Sequence, residues 1–374
     1  MKELQTATIW CGDNLNILRK FPNKCIDLIY ADPPFFSNRH YEVIWNDGAE
    51  LRAFEDRWQG GIEHYTKWMR DRLMECHRVL KDTGSMYLHC DWHANAHLRI
   101  IMDEIFGVNN FQNEIIWHYG LGGSSPKRWQ RKHDNILFYS KTDKWNFTPN
   151  MIPATSLKMA GLNKKDSDVW NIASINNMAT ERIGYPTQKP EALLRRIVEA
   201  SSNKGDIILD PFCGCGTTIS VAHQLGRQWI GIDVSPTACR MMADRLNKLG
   251  LVAKLEDMPD NIEYLKSIEP FEFQYWVVRK ITGTNSNKKS SDMGIDGYDF
   301  LNKPIQVKQS SNIGRNIVDN FETAIKRAGF KEGTIYAFSF GKGAKEEVAR
   351  ASLEEKVTIK LATISELLDD NMRK

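Results

Sequence analysis

Three short stretches carry residue types that chemistry can use. The first, Asp32-Pro33-Pro34-Phe35, closes an apolar run, Ile26-Asp-Leu-Ile-Tyr-Ala31. An amine on an aromatic base is a poor nucleophile because its lone pair is delocalised into the ring. Acceptors aimed at both of its N–H groups favour localisation of that pair on nitrogen. Asp32 can accept one N–H and the Pro33 carbonyl the other, while Pro33 and Pro34 stiffen the backbone that aims them. Phe35 offers a ring on which a base swung out of a duplex can stack. The bland alternative is a strand-ending Asp-Pro-Pro turn with no chemistry. Taken alone, the motif leaves the two about level.

The second stretch, Asp210-Pro-Phe212-Cys-Gly214-Cys-Gly216-Thr217-Thr218, falls between an expected strand (207–210) and an expected helix (217–225). Glycines at such a turn let backbone approach a ligand that a Cβ would block. The third, Asp233, ends the next expected strand, where a carboxylate can accept from both hydroxyls of a ribose. Adenosine with a free ribose and a zwitterionic amino-acid tail fits this pair, and S-adenosylmethionine is the expected cofactor. A dinucleotide turn would place a glycine at Ile219, and a P-loop would place a lysine at Thr217. Cys213 and Cys215 lack the second pair that a zinc site needs and read as packing. With the three stretches together, direct methyl transfer from a sulfonium to nitrogen is expected, with proximity supplying most of the barrier reduction. Cytosine C5 chemistry is excluded, because it needs a cysteine nucleophile and the chain has no Pro-Cys dipeptide.

The elements that must position these groups alternate as an α/β chain with a parallel sheet. Strands are expected at 26–32, 85–89, 115–119, 207–210 and 229–233, with helices at 65–80, 94–106, 190–200, 217–225 and 236–249. Periodicity fades over 145–185, which reads as an inserted segment. An acidic, proline-broken stretch at 256–270 marks a boundary, giving domains of 1–262 and 268–374. The 374 residues carry a formal net charge of +3, so a nucleic-acid partner must be argued from local basic clusters. Seven cysteines at irregular spacings indicate no disulfide framework. No apolar run suits a membrane span and the first residues have no signal-peptide layout, so a cytoplasmic location is expected.

In this order of motifs the sequence resembles the β class of amino-DNA methyltransferases, to which type III modification subunits belong. The matching stretches are Ala31-Asp-Pro-Pro-Phe35, Leu88-His-Cys-Asp-Trp92, Asp103-Glu-Ile-Phe-Gly107, Tyr185-Pro-Thr-Gln-Lys-Pro190 and the run from Asp210 to Thr218. The resemblance covers about residues 5–250. It implies a doubly wound, Rossmann-like methyltransferase fold with a seven-stranded sheet, and it places Thr187 and Lys189 near the cofactor. DPPF favours N6 of adenine; N4 of cytosine, with a C-terminal domain that only binds DNA, is the alternative. Cys215 stands where a serine is usual. The expected partner is double-stranded DNA, and a homodimer is admitted.

Lys127, Arg128, Arg131, Lys132 and His133, interleaved with Trp129, have the makings of a phosphate-contacting loop, though a solvated basic loop has the same composition. The 145–185 insertion is the expected target-recognition segment. In the C-terminal domain, Asp296 followed by the strand Ile305-Gln-Val-Lys308 suits a divalent-metal phosphodiesterase. Asp296 and Gln306 would hold Mg2+ and Lys308 would orient the attacking water. These residues resemble the PD-(D/E)xK nucleases of the Mrr type, which implies a small α/β restriction-endonuclease-like domain and a restriction–modification pair. Glu272 could add a carboxylate, and a degenerate domain kept for binding is the alternative.

Overall fold

The computed structural model describes residues 4–37, 39–44, 50–56, 58, 60–120, 126–154, 161–176, 179, 181–183, 187–259, 261–268, 270–285 and 294–369. The chain divides into two units, Met1–Glu42 with Arg52–Met258, and Val43–Leu51 with Pro259–Lys374.

The first unit is built on one nine-stranded sheet. Its order is Val169–Asn171, Phe111–His118, His133–Ser140, Leu80–Cys90, Ile26–Ala31, Ile207–Asp210, Gln228–Asp233, Thr8–Cys11 and Lys254–Glu256. The seven strands implied by the resemblance are present; the other two are three-residue edge strands, Val169–Asn171 and Lys254–Glu256. All strands pair in parallel except His133–Ser140, which runs antiparallel between Leu80–Cys90 and Phe111–His118. Ile26–Ala31 is buried throughout, as a central strand covered on both faces must be. Its one charge, Asp27, accepts from Lys81 Nζ at 2.8 Å and from the Ile207 amide at 2.9 Å, so the buried carboxylate is satisfied.

Helices cover both faces. On one side Gly61–Val79 buries Tyr65, Met69, Leu73, Cys76 and Val79 at helical spacing, and Asn95–Phe106 buries Leu98, Ile101 and Met102 beside it. On the other side Glu191–Ser201, Thr217–Gln224 and Pro236–Lys248 pack Leu194, Ile197, Ile219, Met242 and Leu246. The sheet is therefore doubly wound. Successive strands proceed outward in opposite directions from Ile26–Ala31 and Ile207–Asp210, which pair with each other at Leu28↔Ile208 and Ile29↔Leu209. In such a sheet ligands bind at the carboxyl ends of the strands where the order reverses. Asp32 and Asp210 sit at those two ends.

The second unit carries a five-stranded sheet ordered Thr284–Asn285, Gly297–Tyr298, Pro304–Lys308, Glu332–Ala337 and Thr358–Thr363. The helix Pro270–Lys280 packs Phe273 and Val277 with Ile305 and Val307, while Arg315–Arg327 and Lys342–Glu354 bury Val318, Phe321 and Ala344 in a second cluster.

Candidate active site

A cavity of about 350 Å³ opens at the strand-order reversal. Asp32, Pro33, Pro34, Phe35, Thr187, Lys189, Asp210, Phe212, Gly214, Thr217, Thr218 and Asp233 all line it. Gly216 does not line it and stands behind the wall, with φ +74° and an imagined Cβ 2.3 Å from Met242 Cγ. That position needs glycine twice over, for its left-handed backbone and for the close approach of the helix Pro236–Lys248.

The Asp32 turn is braced from behind. Tyr65 Oη donates to the Pro34 carbonyl at 2.7 Å. Phe36 follows in the left-handed region at φ 60°, a strained conformation for an aromatic residue, and packs its ring 5.6 Å from Tyr65. Asp32 divides its oxygens. Oδ2 accepts from Lys189 Nζ at 2.5 Å, while Oδ1 is buried with no hydrogen-bond partner among the described residues. The Lys189 ammonium also lies 5.2 Å over the Phe35 ring. The lysine expected near the cofactor thus pairs with Asp32; Tyr185 and Pro186 of the same motif lie outside the described residues.

In the cofactor loop, Asp233 accepts from the Gly214 amide at 2.7 Å and the Ser235 amide at 2.8 Å. Burial pushes its carboxyl up to about 6, against those two hydrogen bonds. Burial likewise lifts Asp210 to about 7; bonds from Thr218 and the Phe212 amide oppose the rise, and the charges of Asp32 and Asp233 add to it. Cys215 is buried with its Sγ 3.6 Å from Thr217 Oγ1, a packing role that suits the serine-sized site.

Several lining residues carry no motif signal. Gly12, Asp13 and Asn14 follow the short strand Thr8–Cys11 into the cavity. Asn14 Nδ2 donates to the Pro211 carbonyl at 2.8 Å, while its Oδ1 is buried and unpaired among the described residues. Asp13 is bound by Arg72, whose guanidinium stacks 3.7 Å from the Trp68 ring, and Trp68 also lines the cavity. The ionisable lining is therefore four carboxyl groups, Asp13, Asp32, Asp210 and Asp233, and one ammonium, Lys189, with Asp13 paired to Arg72 and Asp32 to Lys189.

Residues 26–244 match the N6/N4 DNA methylase family. The chain belongs to that family. It is 32% identical over 261 residues to DNA adenine methyltransferase YhdJ of Escherichia coli strain K12, spanning 65% of this chain and 83% of that protein. It is 32% identical over 273 residues to the type II methyltransferase M.HinfI of Haemophilus influenzae, spanning 69% and 71%. Among solved structures, the cytosine-N4-specific PvuII DNA methyltransferase aligns with TM-score 0.48 and 16% identity, over 67% of this chain and 95% of that one.

Outside the cavity of this methylase, residues 121–125 of the basic loop lie outside the described residues. Of the rest, Trp129 is 95% exposed, and Arg131 stacks 3.5 Å from the Trp92 ring. His133 starts a strand rather than ending a loop, because its successors Asn135, Ile136 and Leu137 enter the sheet. Of the 145–185 insertion, the described parts form a small antiparallel pair, Met151–Pro153 with Asn163–Lys165, and the edge strand Val169–Asn171. No helix among the described residues is long and apolar enough to cross a membrane.

In the second unit, the Asp296 amide donates to the Ile305 carbonyl at 2.9 Å and the Asp296 carboxylate accepts from the Val307 amide at 2.7 Å, setting Asp296 beside Gln306. Gln306 is buried with its Oε1 unpaired among the described residues, and Lys308 is two residues along the same strand, hence on the same face. Asp292 lies outside the described residues. Among the described residues, the three-carboxylate group that closes to metal-ligand spacing is Asp319, Glu322 and Glu347, away from this motif. Arg350, Arg315 and Lys326 pair with Glu322 and Glu347, which makes that group a salt-bridge network.

Proposed function

We propose that the first unit transfers a methyl group from S-adenosylmethionine to N6 of adenine in double-stranded DNA. The observation that carries this is the acceptor-rich lining of the cavity: four carboxyl groups, of which Asp32 and Asp13 are ion-paired with Lys189 and Arg72, and two buried oxygens, Asn14 Oδ1 and Asp32 Oδ1, with no hydrogen-bond partner among the described residues. An acceptor-rich, electronegative wall suits a cationic ligand that brings N–H and O–H donors, and it opposes the pyrophosphate of a dinucleotide. Asp233 and the Gly214 turn would hold the ribose, and the side-chain Oδ1 of Asn14 would accept from an amino group. When bound, the cofactor supplies an electrophilic methyl on a sulfonium. Asp32 Oδ1 and the Pro33 carbonyl would accept from the target amine, Phe35 would stack on its ring, and Lys189 would hold the second oxygen of Asp32. The DPPF motif favours adenine. Incubation with labelled S-adenosylmethionine and unmodified DNA, followed by digestion to nucleosides, tests this: label on N6-methyladenosine is expected, and label on N4-methylcytidine moves the assignment to cytosine.

We read the second unit as a restriction-endonuclease-like partner of the methylase. Asp296 and the unpaired Gln306 oxygen are hard donors that suit Mg2+, one charge weaker than a pair of acids, and Lys308 stands on the same face to orient water. Cleavage of unmodified DNA by the pure protein with Mg2+ or Mn2+ is the expected result; the binding-only alternative predicts none.

A further inference from the structure

Behind the Asp32 turn, a buried histidine links three strands. His89 is fully buried. Its Nδ1 lies 2.7 Å from Tyr30 Oη, at the end of Ile26–Ala31, and its Nε2 lies 3.2 Å from Asp134 Oδ2, at the start of His133–Ser140. Nδ1 is also 3.7 Å from Asp32 Oδ1, the oxygen without a partner. The Phe35 ring stands 5.3 Å away and the Trp117 ring 5.5 Å away, so the imidazole is packed between two aromatic rings.

An ionised carboxylate only accepts, so the proton of a neutral His89 belongs on Nε2, facing Asp134. Burial opposes ionisation of Asp134, but the hydrogen bond from His89, the Lys189 ammonium and the Tyr119 hydroxyl hold its carboxyl below the ordinary range. Nδ1 is then bare and accepts from Tyr30. A bare Nδ1 cannot donate to Asp32 Oδ1, which remains open for an amine. The other neutral tautomer, or the imidazolium, would carry an Nδ1–H and cap that oxygen after a small shift. We propose that Asp134 is a positioning residue for Asp32, acting by fixing the tautomer of His89 so that Asp32 Oδ1 stays an open acceptor. The inference rests on the amine-methylating reading given above. The charged and titratable groups around the ring are Tyr30 and Asp32 from one strand, Asp134 from another, and Tyr119, Lys189 and Asp91 through Asp134.

The test uses full-length protein with 15N-labelled histidine and measures single-turnover methyl transfer at saturating cofactor and DNA. Wild type is expected to show the Nε2–H tautomer. Asp134→Asn keeps the volume but can donate to Nε2, letting the proton move to Nδ1. The ring shifts should report that move, and the turnover rate should fall by about tenfold or more, the direction known for a carboxylate-to-amide change behind a histidine. The apparent affinities for cofactor and DNA should be unchanged. An Nδ1–H tautomer in wild type, or a wild-type rate in Asp134→Asn, overturns the proposal. Absence of methylated base in wild-type reactions would instead remove the amine-methylating reading, which the ring shifts do not depend on.

Discussion

Lys189 and Asp32, 157 residues apart in sequence, form a 2.5 Å ion pair that occupies one oxygen of the carboxylate and leaves the other buried with no hydrogen-bond partner among the described residues. The pair makes Asp32 a single directed acceptor. Asp32→Ala is therefore expected to abolish methyl transfer, by at least about a hundredfold on the scale of losing one preorganised electrostatic partner. Its affinity for S-adenosylmethionine should stay within a few-fold of wild type. Calorimetry and a labelled-methyl assay on the same preparation check both halves, and near-normal turnover would end the assignment.

Lys189→Gln separates two roles. If the lysine serves Asp32, as the ion pair indicates, kcat should fall with little change in cofactor Kd. A large loss of cofactor affinity at unchanged kcat would return Lys189 to the cofactor.

Asp233 should couple cofactor binding to pH. Burial raises its carboxyl to about 6, so it is ionised above that pH and protonated below it. A protonated carboxyl is a poorer acceptor for ribose hydroxyls. Affinity should then be highest above about pH 7 and fall as pH drops through 6, approaching a tenfold loss per unit well below it. Asp233→Ala should weaken binding by roughly 1.5–3 kcal/mol at neutral pH and flatten the dependence. Titration calorimetry across pH 5–8 reads both.

Gly216→Ala should cost about 1–3 kcal/mol of stability, because its φ of +74° is strained for any L side chain and its Cβ would meet Met242 Cγ at 2.3 Å. Denaturant unfolding checks this, and Met242→Ala in the same chain should recover only the part owed to the clash.

Lys308→Ala should eliminate any metal-dependent cutting by the second unit while leaving methylation intact. Agarose gels with Mg2+ or Mn2+, run beside the methylation assay, would separate the two activities.

The legible parts of the site were those whose residues lie next to one another in the chain. Asp32-Pro-Pro-Phe35 and the Asp210 turn each place their chemistry within a few residues, and a strand-to-helix turn explains them locally. Asp13, Asn14, Tyr65 and Asp134 reach the same cavity or its wall from separate elements, so only the sheet order brings them in. Thr8–Cys11 is four residues long and too short to show a period. Asp134 was hidden for another reason: it follows a basic run that reads as loop, and its strand is the one that runs against its neighbours. That reversal is what delivers a strand's first residues to the edge where parallel strands end. His89 lay in a stretch noted for resemblance, Leu88-His-Cys-Asp-Trp92, with nothing local to say what it faced.

The sheet order also sets a timetable for a chain leaving the ribosome. Among the described residues Thr8–Cys11 pairs with Gln228–Asp233 and Lys254–Glu256, and Ile26–Ala31 has Ile207–Asp210 on one side. The amino-terminal half is thus complete well before its inner neighbours exist, and the nascent protein carries a long-lived strand edge that is apolar apart from Asp27. Such an edge invites pairing with another copy and demands late, long-range closure. Slowed translation between the two motifs should lengthen that window and raise the insoluble fraction, even where the finished fold is unaltered.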